Sequence, residues 1–591
     1  SCSCLLASEV SSSLLDLQTE SLSNKQSIEQ ANNIALTILN VLPPEAKSSA
    51  GLKEFNNQGF LIKPGYTKEI EGKYLDVLFD LQNQQKITEK TNKLLKRESE
   101  LSQQIIVNYL ELIGLNRKYK RLSIFLPFTY CESTDLIDPI GYIFDGLNQL
   151  ILKNFSQETI GQRFKDYVLG RNEIPPLIVG AKKEVEKLLE DYKKNEGTII
   201  FPCKSFLEDI INLPKIKAIK KEISSHLSNE SLELMEPFSQ QVNDYVEFVK
   251  DILIPNAPEQ SLLPFEIYQT FLKINGVNED PQALIKRAKI DFKELYKKYL
   301  TLGKEVAKEE ELDTEDPVKI LQELEKKELI NDPVKAVQLY NNIQKEIEEV
   351  ILKENIMTLP QQSIKIRTGT EAEETIFPVP HVNTPNFINN DGSVWPEFVL
   401  CDLLSHANPI VAYPLTVHEG RPGHDLQFSR MLESYLTGQS DLIQTVIASN
   451  STNAEGWAHY VEYLMADYFS SKAARLAAIR DQLLRIARLF LDPELNTQKI
   501  TYKEAKDFIQ NVVGFSEVVS KSEADRYSFR MPGQATTYRH GALKIMDLRE
   551  MLKQELGEKF TPQKFHDSVI SFGLLPIDIT ADLIKEKMLE E

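Results

Sequence analysis

From residue 26 to about residue 355, apolar positions recur at three- and four-residue intervals, the spacing of amphipathic helices. Ile28, Ala31, Ile34, Ala35, Ile38 and Leu39 make one such stripe, and Pro43-Pro44 ends it. A long charged run over 66–115 predicts a helix closing near Gly114. Residues 122–130 read as a short extended or irregular apolar piece. Helical runs follow at 139–154, 157–169, 177–195, 204–225, 229–253 and 281–303, with breaks at Pro175-Pro176, Pro255, Pro258 and Pro264. In the charged stretch 304–335, Asp316-Pro-Val-Lys319 recurs as Asp332-Pro-Val-Lys335. Each reads as a helix start, with Asp as cap and Pro at the first helical position.

The pattern changes after Pro360. Residues 363–368 alternate like a strand, and 375–382 read as a second. A loop rich in Asn, Asp, Gly and Pro covers 383–395. Helices then return at 396–406, 411–437, 440–448, 452–490, 501–512, 521–529, 533–556, 562–571 and 576–590. The expectation is a mostly α protein, with a small β element just before its most histidine-rich region.

With 591 residues the chain can bury a large core without disulfides. Its 68 basic and 87 acidic side chains give −19, a charge that repels phosphate backbones and argues against nucleic acid as a partner. No run of eighteen apolar residues offers a membrane span. Cys2, Cys4, Cys131, Cys203 and Cys401 are odd in number and widely spread, which fits neither a disulfide framework nor a Cys-x-x-Cys metal knuckle. Ser1-Cys2-Ser3-Cys4, followed by Ser8, Ser11, Ser12 and Ser13, resembles the mature start of a bacterial lipoprotein. That reading makes 1–25 a tether. The protein would then be exported, periplasmic or membrane-anchored through a lipidated Cys2 or Cys4; otherwise it is cytoplasmic.

Five of the eight histidines lie between His381 and His459. The key stretch is Thr416-Val-His418-Glu419-Gly-Arg-Pro-Gly-His424-Asp-Leu-Gln427. Zinc hydrolases use two imidazoles to hold the ion and a neighbouring carboxylate to activate water. Their common spacing puts the histidines at i and i+4, on one helix face. Here they stand at i and i+6, about 120° apart on a straight helix. Gly420, Pro422 and Gly423 supply residues able to unwind the backbone and bring His424 back beside His418. A competing reading makes Thr416 and Glu419 a capping box at a helix start.

A third ligand is expected from Asn453-Ala-Glu455-Gly-Trp457-Ala-His459-Tyr460-Val-Glu462, where Glu455, His459 and Glu462 share a face of an otherwise apolar helix. Glu455 is the expected ligand, with His459 or Glu462 orienting a ligand from behind. A third segment, Arg526 to Gly541, places Gln534 and Tyr538 on one helix face. The Tyr538 hydroxyl can donate to an oxyanion, with Arg526 or His540 beside it; the competing reading is an ordinary core tyrosine.

In this order the three segments resemble the bacterial family called domain of unknown function 885, which is similar to metallopeptidases of the helical zincin type. The matching positions are His418-Glu419-Gly420, Pro422-Gly423-His424 and Gln427; Glu455-Gly456-Trp457-Ala458, Tyr460 and Glu462; and Pro532-Gly533-Gln534-Ala535, Tyr538 and Gly541. His459 and Asp425 depart from the family's usual residues. The resemblance implies a large helical zincin-like fold, two helical lobes around a cleft, with the β element before the metal-binding helix. On this reading 26–591 is one family domain, with 26–360 as one lobe and 361–591 as the lobe carrying the motifs.

The function expected is a zinc-dependent hydrolase acting on short peptides, with Zn²⁺ on His418, His424 and Glu455, and with Glu419 and Tyr538 catalytic. Gln427, His459, Glu462, Arg526, Gln534 and His540 support it or bind substrate. Two alternatives stand beside it: an inactive surface lipoprotein or binding protein that retains the fold, and a metal-dependent hydrolase of a non-peptide amide or ester.

Overall fold

Short polar side chains set where the helices begin. Asp316 and Asp332 accept hydrogen bonds from the backbone N–H of Val318 and Val334, at 3.1 and 2.9 Å, and Pro317 and Pro333 open the helices as expected. The computed structural model describes residues 24–88, 92–126, 135–376 and 378–590. Most of the expected tether, including Cys2 and Cys4, lies outside the described residues, as do Cys131 and part of the 122–130 segment. Residues 24 and 25 already belong to a helix that runs to 39. Cys203 and Cys401 are buried free thiols.

Helices dominate, and seven of them build the site. They are α1 (Pro281–Glu309), α2 (Pro333–Lys353), α3 (Pro409–Glu419), α4 (His424–Leu436), α5 (Ser451–Ala466), α6 (Lys472–Asn496) and α7 (Thr537–Leu556). Among the described residues no helix is long and apolar enough to cross a membrane.

Several expected helices are shorter than their apolar stripes. The 66–115 run is two helices, Tyr66–Thr88 and Lys93–Lys118, the second capped by Asn92. The 452–490 run divides into α5 and α6, because the Ser471 hydroxyl accepts from Ala474 N–H and starts a new helix. The stripe continues across both breaks, so periodicity alone does not reveal them.

The β element is a three-stranded sheet of β1 (Ile366–Thr368), β2 (His381–Asn383) and β3 (Glu397–Leu400), in the order β1-β3-β2. β3 runs parallel to β1, with Ile366 opposite Phe398, and antiparallel to β2, with His381 opposite Val399. The sequence expectation fails here in two places. Residues 397–400, expected to be helical, form the central strand. Phe398, Val399 and Leu400 are consecutive and all buried, and such a run does not separate strand from helix. The expected strand 375–382 instead begins as the helix Glu371–Ile376. Thr370 and Glu373 form a reciprocal capping box there: Glu373 N–H donates to the Thr370 hydroxyl at 3.2 Å, and Thr370 N–H to the Glu373 carboxylate at 2.9 Å.

Core packing runs across residue 360. Phe292 on α1 meets Phe490 on α6 edge to face, with ring centroids 5.6 Å apart. Tyr340 on α2 packs on Phe398 of β3. Ile34, Tyr74 and Ile106, near the start of the chain, share a core with Ile443 and Leu575. A separate core around Tyr142, Phe164 and Phe238 fills the rest of the N-terminal part.

Candidate metal centre

α3 is capped at its start by Asn408, whose side chain accepts from Val411 N–H at 3.0 Å, and it ends at Glu419. Thr416 and Glu419 therefore sit in the last turn, and the capping-box reading of this pair is corrected. A carboxylate is disfavoured at a helix C-terminus, so Glu419 is not placed to stabilise α3. It is partly exposed and has no ion-pair partner among the described residues.

The helix breaks over Gly420–Gly423, where the residue types predicted it, and α4 starts at His424. The break is possible only without side chains. A Cβ on Gly423 would lie 2.0 Å from the His418 carbonyl oxygen, and one on Gly420 would lie 2.3 Å from the Gln344 side-chain oxygen. The peptide between Arg421 and Pro422 is cis.

Three contacts hold this turn. Gln344 of α2 donates to the Arg421 carbonyl at 3.1 Å and accepts from Arg421 N–H at 2.8 Å. The indole N–H of Trp457 on α5 donates to the Pro422 carbonyl at 2.9 Å. The Arg421 guanidinium pairs with Asp425 at 2.9 Å and donates to the Gln362 carbonyl at 2.6 Å. Burial raises the Asp425 carboxyl to about 6, against the lowering by Arg421.

The turn brings the three predicted ligands together. His424 Nε2 is 3.3 Å and His418 Nε2 is 3.6 Å from the same Glu455 oxygen, Oε2. One ligand atom from each residue lies within 4.8 Å of the other two. Ligands at 2.0–2.2 Å in tetrahedral array around one ion are about 3.3–3.6 Å apart, so both measured edges fit. Two imidazoles and a carboxylate are also the donor set that suits zinc. Among the described residues Glu455 Oε2 is buried without a hydrogen-bond partner, as a ligand atom would be. The Glu455 side chain is 22% exposed against 7% for His418, so the group opens to solvent on the Glu455 side.

A buried relay backs His418. Its Nδ1 is 3.3 Å from Glu462 Oε1, while Glu462 Oε2 meets His459 Nδ1 at 2.8 Å and Arg485 Nε at 3.5 Å. Glu462 thus orients His418, as expected, and His459 acts on Glu462. Burial opposes charge on His418, but the carboxylates of Glu455 and Glu462 beside it outweigh burial and raise it to about 10. Burial would raise Glu455 and Glu462, yet the histidines, and Arg485 for Glu462, hold both far below the usual carboxylate range. Burial dominates at His459 and lowers it to about 4, so it is neutral.

Tyr538 sits among arginines. Its hydroxyl accepts from Arg526 at 3.0 Å, and the same nitrogen donates to Gln534 Oε1 at 2.6 Å. The guanidinium of Arg488 lies 4.5 Å from the Tyr538 ring centroid and that of Arg485 lies 5.9 Å away, so Arg485 joins this group to Glu462. Asp492, buried beneath, accepts from Gly533 N–H and from the Tyr268 hydroxyl and fixes the turn before Gln534.

Two expected site residues lie elsewhere. Gln427 donates to Asn453, which in turn holds the carbonyls of Gly573 and Leu575, so its visible contacts are structural. His540 faces Glu279 at 3.8 Å, and burial lowers it to about 4. It is two residues from Tyr538, about 200° around α7, and so points away from it.

The glycines of the second and third segments meet directly. A Cβ on Gly541 would lie 2.0 Å from the Thr452 carbonyl oxygen and 2.8 Å from Gly456 Cα, so α5 and α7 pack backbone to backbone. Sequence reasoning missed Gln344 and Arg485. Gln344 lies in an ordinary amphipathic helix, and nothing local marks it. Arg485 belongs to α6, whose four arginines in an acidic chain were a usable signal.

Two large cavities adjoin these elements without being lined by the ligand trio. One, of about 1290 Å³, runs between residues 48–56 and 138–155 on one side and the β element on the other. The second, about 800 Å³, is bordered by Asn450, Thr452, Pro532 and Gln534.

No curated protein matches the chain. Among solved structures it is similar to the "putative lipoprotein from Colwellia psychrerythraea", at 18% identity and a TM-score of 0.74, over 96% of this chain and 100% of that one. It is also similar to a "putative lipoprotein of unknown function from Shewanella oneidensis", at 16% identity and a TM-score of 0.69, over 94% and 99% of the two chains. At these identities the likeness is one of fold. The three motif segments all fall inside residues 162–584, which match a single family model, and the chain therefore belongs to the family described as bacterial protein of unknown function (DUF885).

Proposed function

We propose that this protein is a metal-dependent hydrolase, with zinc as its metal and short peptides as its substrates, built on a helical zincin-like fold whose two lobes face a cleft. The observation that carries this reading is the convergence of His418, His424 and Glu455, with donor spacings that suit one tetrahedral ion.

His418, His424 and Glu455 would hold the ion, and Glu462 fixes the ring of His418. Zinc supplies Lewis acidity: it polarises a carbonyl and acidifies water. Glu419, next in sequence to a ligand and without an ion-pair partner, takes the proton of the attacking water and returns it to the leaving amine. Tyr538, its hydroxyl fixed by Arg526, donates to the carbonyl oxygen as negative charge develops there. β2 is an edge strand whose Val382 and Asn383 border the larger cavity, which suits an extended peptide.

The Cys2/Cys4 segment and the names of the two structural relatives support export with a lipid anchor on one of these cysteines. Radiolabelled fatty acid that enters the parent but not a Cys2→Ser/Cys4→Ser variant would establish it; equal labelling would refute it.

The test of the enzymatic reading is zinc content and peptide turnover, measured together on parent and Glu419→Gln. The expected result is about one zinc in each, and turnover lower in the variant by roughly 10²–10⁴-fold. Zinc-free parent after dialysis against zinc, or a fully active Glu419→Gln, would sink it.

A further inference from the structure

The arginines around Tyr538 are not equally neutralised. Arg488 is held by Glu523 in a two-point pair, at 2.9 and 2.5 Å. Arg485 has Glu462 at 3.5 Å. Among the described residues Arg526 has no carboxylate to itself. Its hydrogen bonds go to two neutral groups, Gln534 Oε1 and the Tyr538 hydroxyl, through one terminal nitrogen. The other terminal nitrogen is 3.8 Å from Glu523, which Arg488 already occupies, and Nε is buried without a partner. Burial opposes the charge on this guanidinium, and Tyr538 with the shared Glu523 offsets that cost without filling its donors.

The side chain is nevertheless 21% exposed, so one edge remains open. Gln534, which anchors Arg526, also borders the cavity of about 800 Å³, a volume within the range of small-ligand sites. Arg526 does not line that cavity itself; it stands behind Gln534, with one exposed edge, as a fixed, half-used hydrogen-bonding fork in an otherwise acidic molecule. The guanidinium is planar and presents paired donors, which match a planar carboxylate.

We propose that Arg526 binds a carboxylate of the substrate, and that the peptides this protein takes are selected for that group. This rests on the peptide-hydrolase reading for the nature of the substrate, but not on the metal or on turnover. The carboxylate has two sources, the C-terminus of a short peptide or an acidic side chain.

The test is binding to full-length protein stripped of metal with chelator, so that a carboxylate cannot be held by zinc. Pools of random tripeptides are offered in equilibrium dialysis as free acids, as C-terminal amides, and as amides containing Glu or Gln at the middle position. Retained peptide is read by mass spectrometry. The expected result is at least tenfold preference for free acids over amides, or for Glu-containing over Gln-containing amides; the first identifies the C-terminus and the second the side chain. Arg526→Gln should abolish the preference. Arg526→Lys, which keeps the charge and loses the fork, should weaken it; circular dichroism checks that both variants fold. Equal retention of acids and amides together with equal retention of Glu and Gln peptides, retention of none, or a preference surviving in Arg526→Gln would overturn the proposal. Hydrolysis by zinc-loaded protein is measured separately. Its absence would count against the enzymatic reading and leave the acid-to-amide ratio standing.

Discussion

Replacing Gly541 with Ala tests whether the backbone contact between α5 and α7 sets the position of Glu455. The added Cβ would lie 2.0 Å from the Thr452 carbonyl oxygen, whereas ordinary contacts begin near 3.4 Å. Backbone cannot rotate aside, so the helices must separate by more than an ångström. Thr452 lies three residues before Glu455 on α5, and a shift of that turn carries the carboxylate with it. Zinc–ligand distances tolerate only about 0.2 Å. Overpacking of this kind costs about 1–3 kcal/mol of stability. Zinc affinity should fall at least tenfold, which is about 1.4 kcal/mol. The assay is competition with a chromophoric chelator, together with thermal melting with and without zinc. Gly72→Ala is the control, because it sits exposed within the helix Tyr66–Thr88 and its Cβ would meet nothing within 4 Å. It should leave zinc affinity unchanged and raise stability by up to about 1 kcal/mol. A Gly541→Ala protein with the parent's melting temperature and zinc affinity would refute the reasoning.

Gln344→Leu orphans the buried N–H and carbonyl of Arg421 and should destabilise the protein by about 1–3 kcal/mol per group, read by denaturant unfolding; an unchanged midpoint would show that the turn holds itself. Tyr538→Phe should lower turnover by roughly 10–10³-fold at near-normal KM, and a change confined to KM would remove Tyr538 from the transition state. Burial raises Asp492 to about 7, against the lowering by Tyr268 and Gly533. A carboxyl raised on folding stabilises fully below its unfolded value and loses that contribution as pH climbs to the folded value. Melting of the parent minus that of Asp492→Asn should therefore fall between about pH 4 and about pH 7 and level off above, and a flat difference would show that Asp492 does not titrate there.

Much of the site was legible because metal chemistry constrains residue type and spacing together. The unusual gap between His418 and His424 required a broken helix, and the residues in the gap named the place. Glu455 was legible because a carboxylate on an apolar helix needs a partner. Gln427 and His540 show the limit of the same reasoning: polar residues near a motif also serve packing, and only the fold shows which way they point. The β element was half legible. β1 alternates, but β3 is buried on consecutive positions, and the capping box at Thr370 and Glu373 was hidden by the strand-like residues around it. The split of α5 from α6 turned on a single serine in an unbroken apolar stripe.

The clamp between Gln344 and Arg421 also restricts how the molecule can move. An amide that both donates to and accepts from one residue's backbone leaves that residue no freedom to slide or turn, and Trp457 grips the next carbonyl from the other side. The turn that separates His418 from His424 is thereby tied to α2 on one side and, on the other, to the helix that carries Glu455, so the spacing of the three side chains depends on contacts that none of them makes itself.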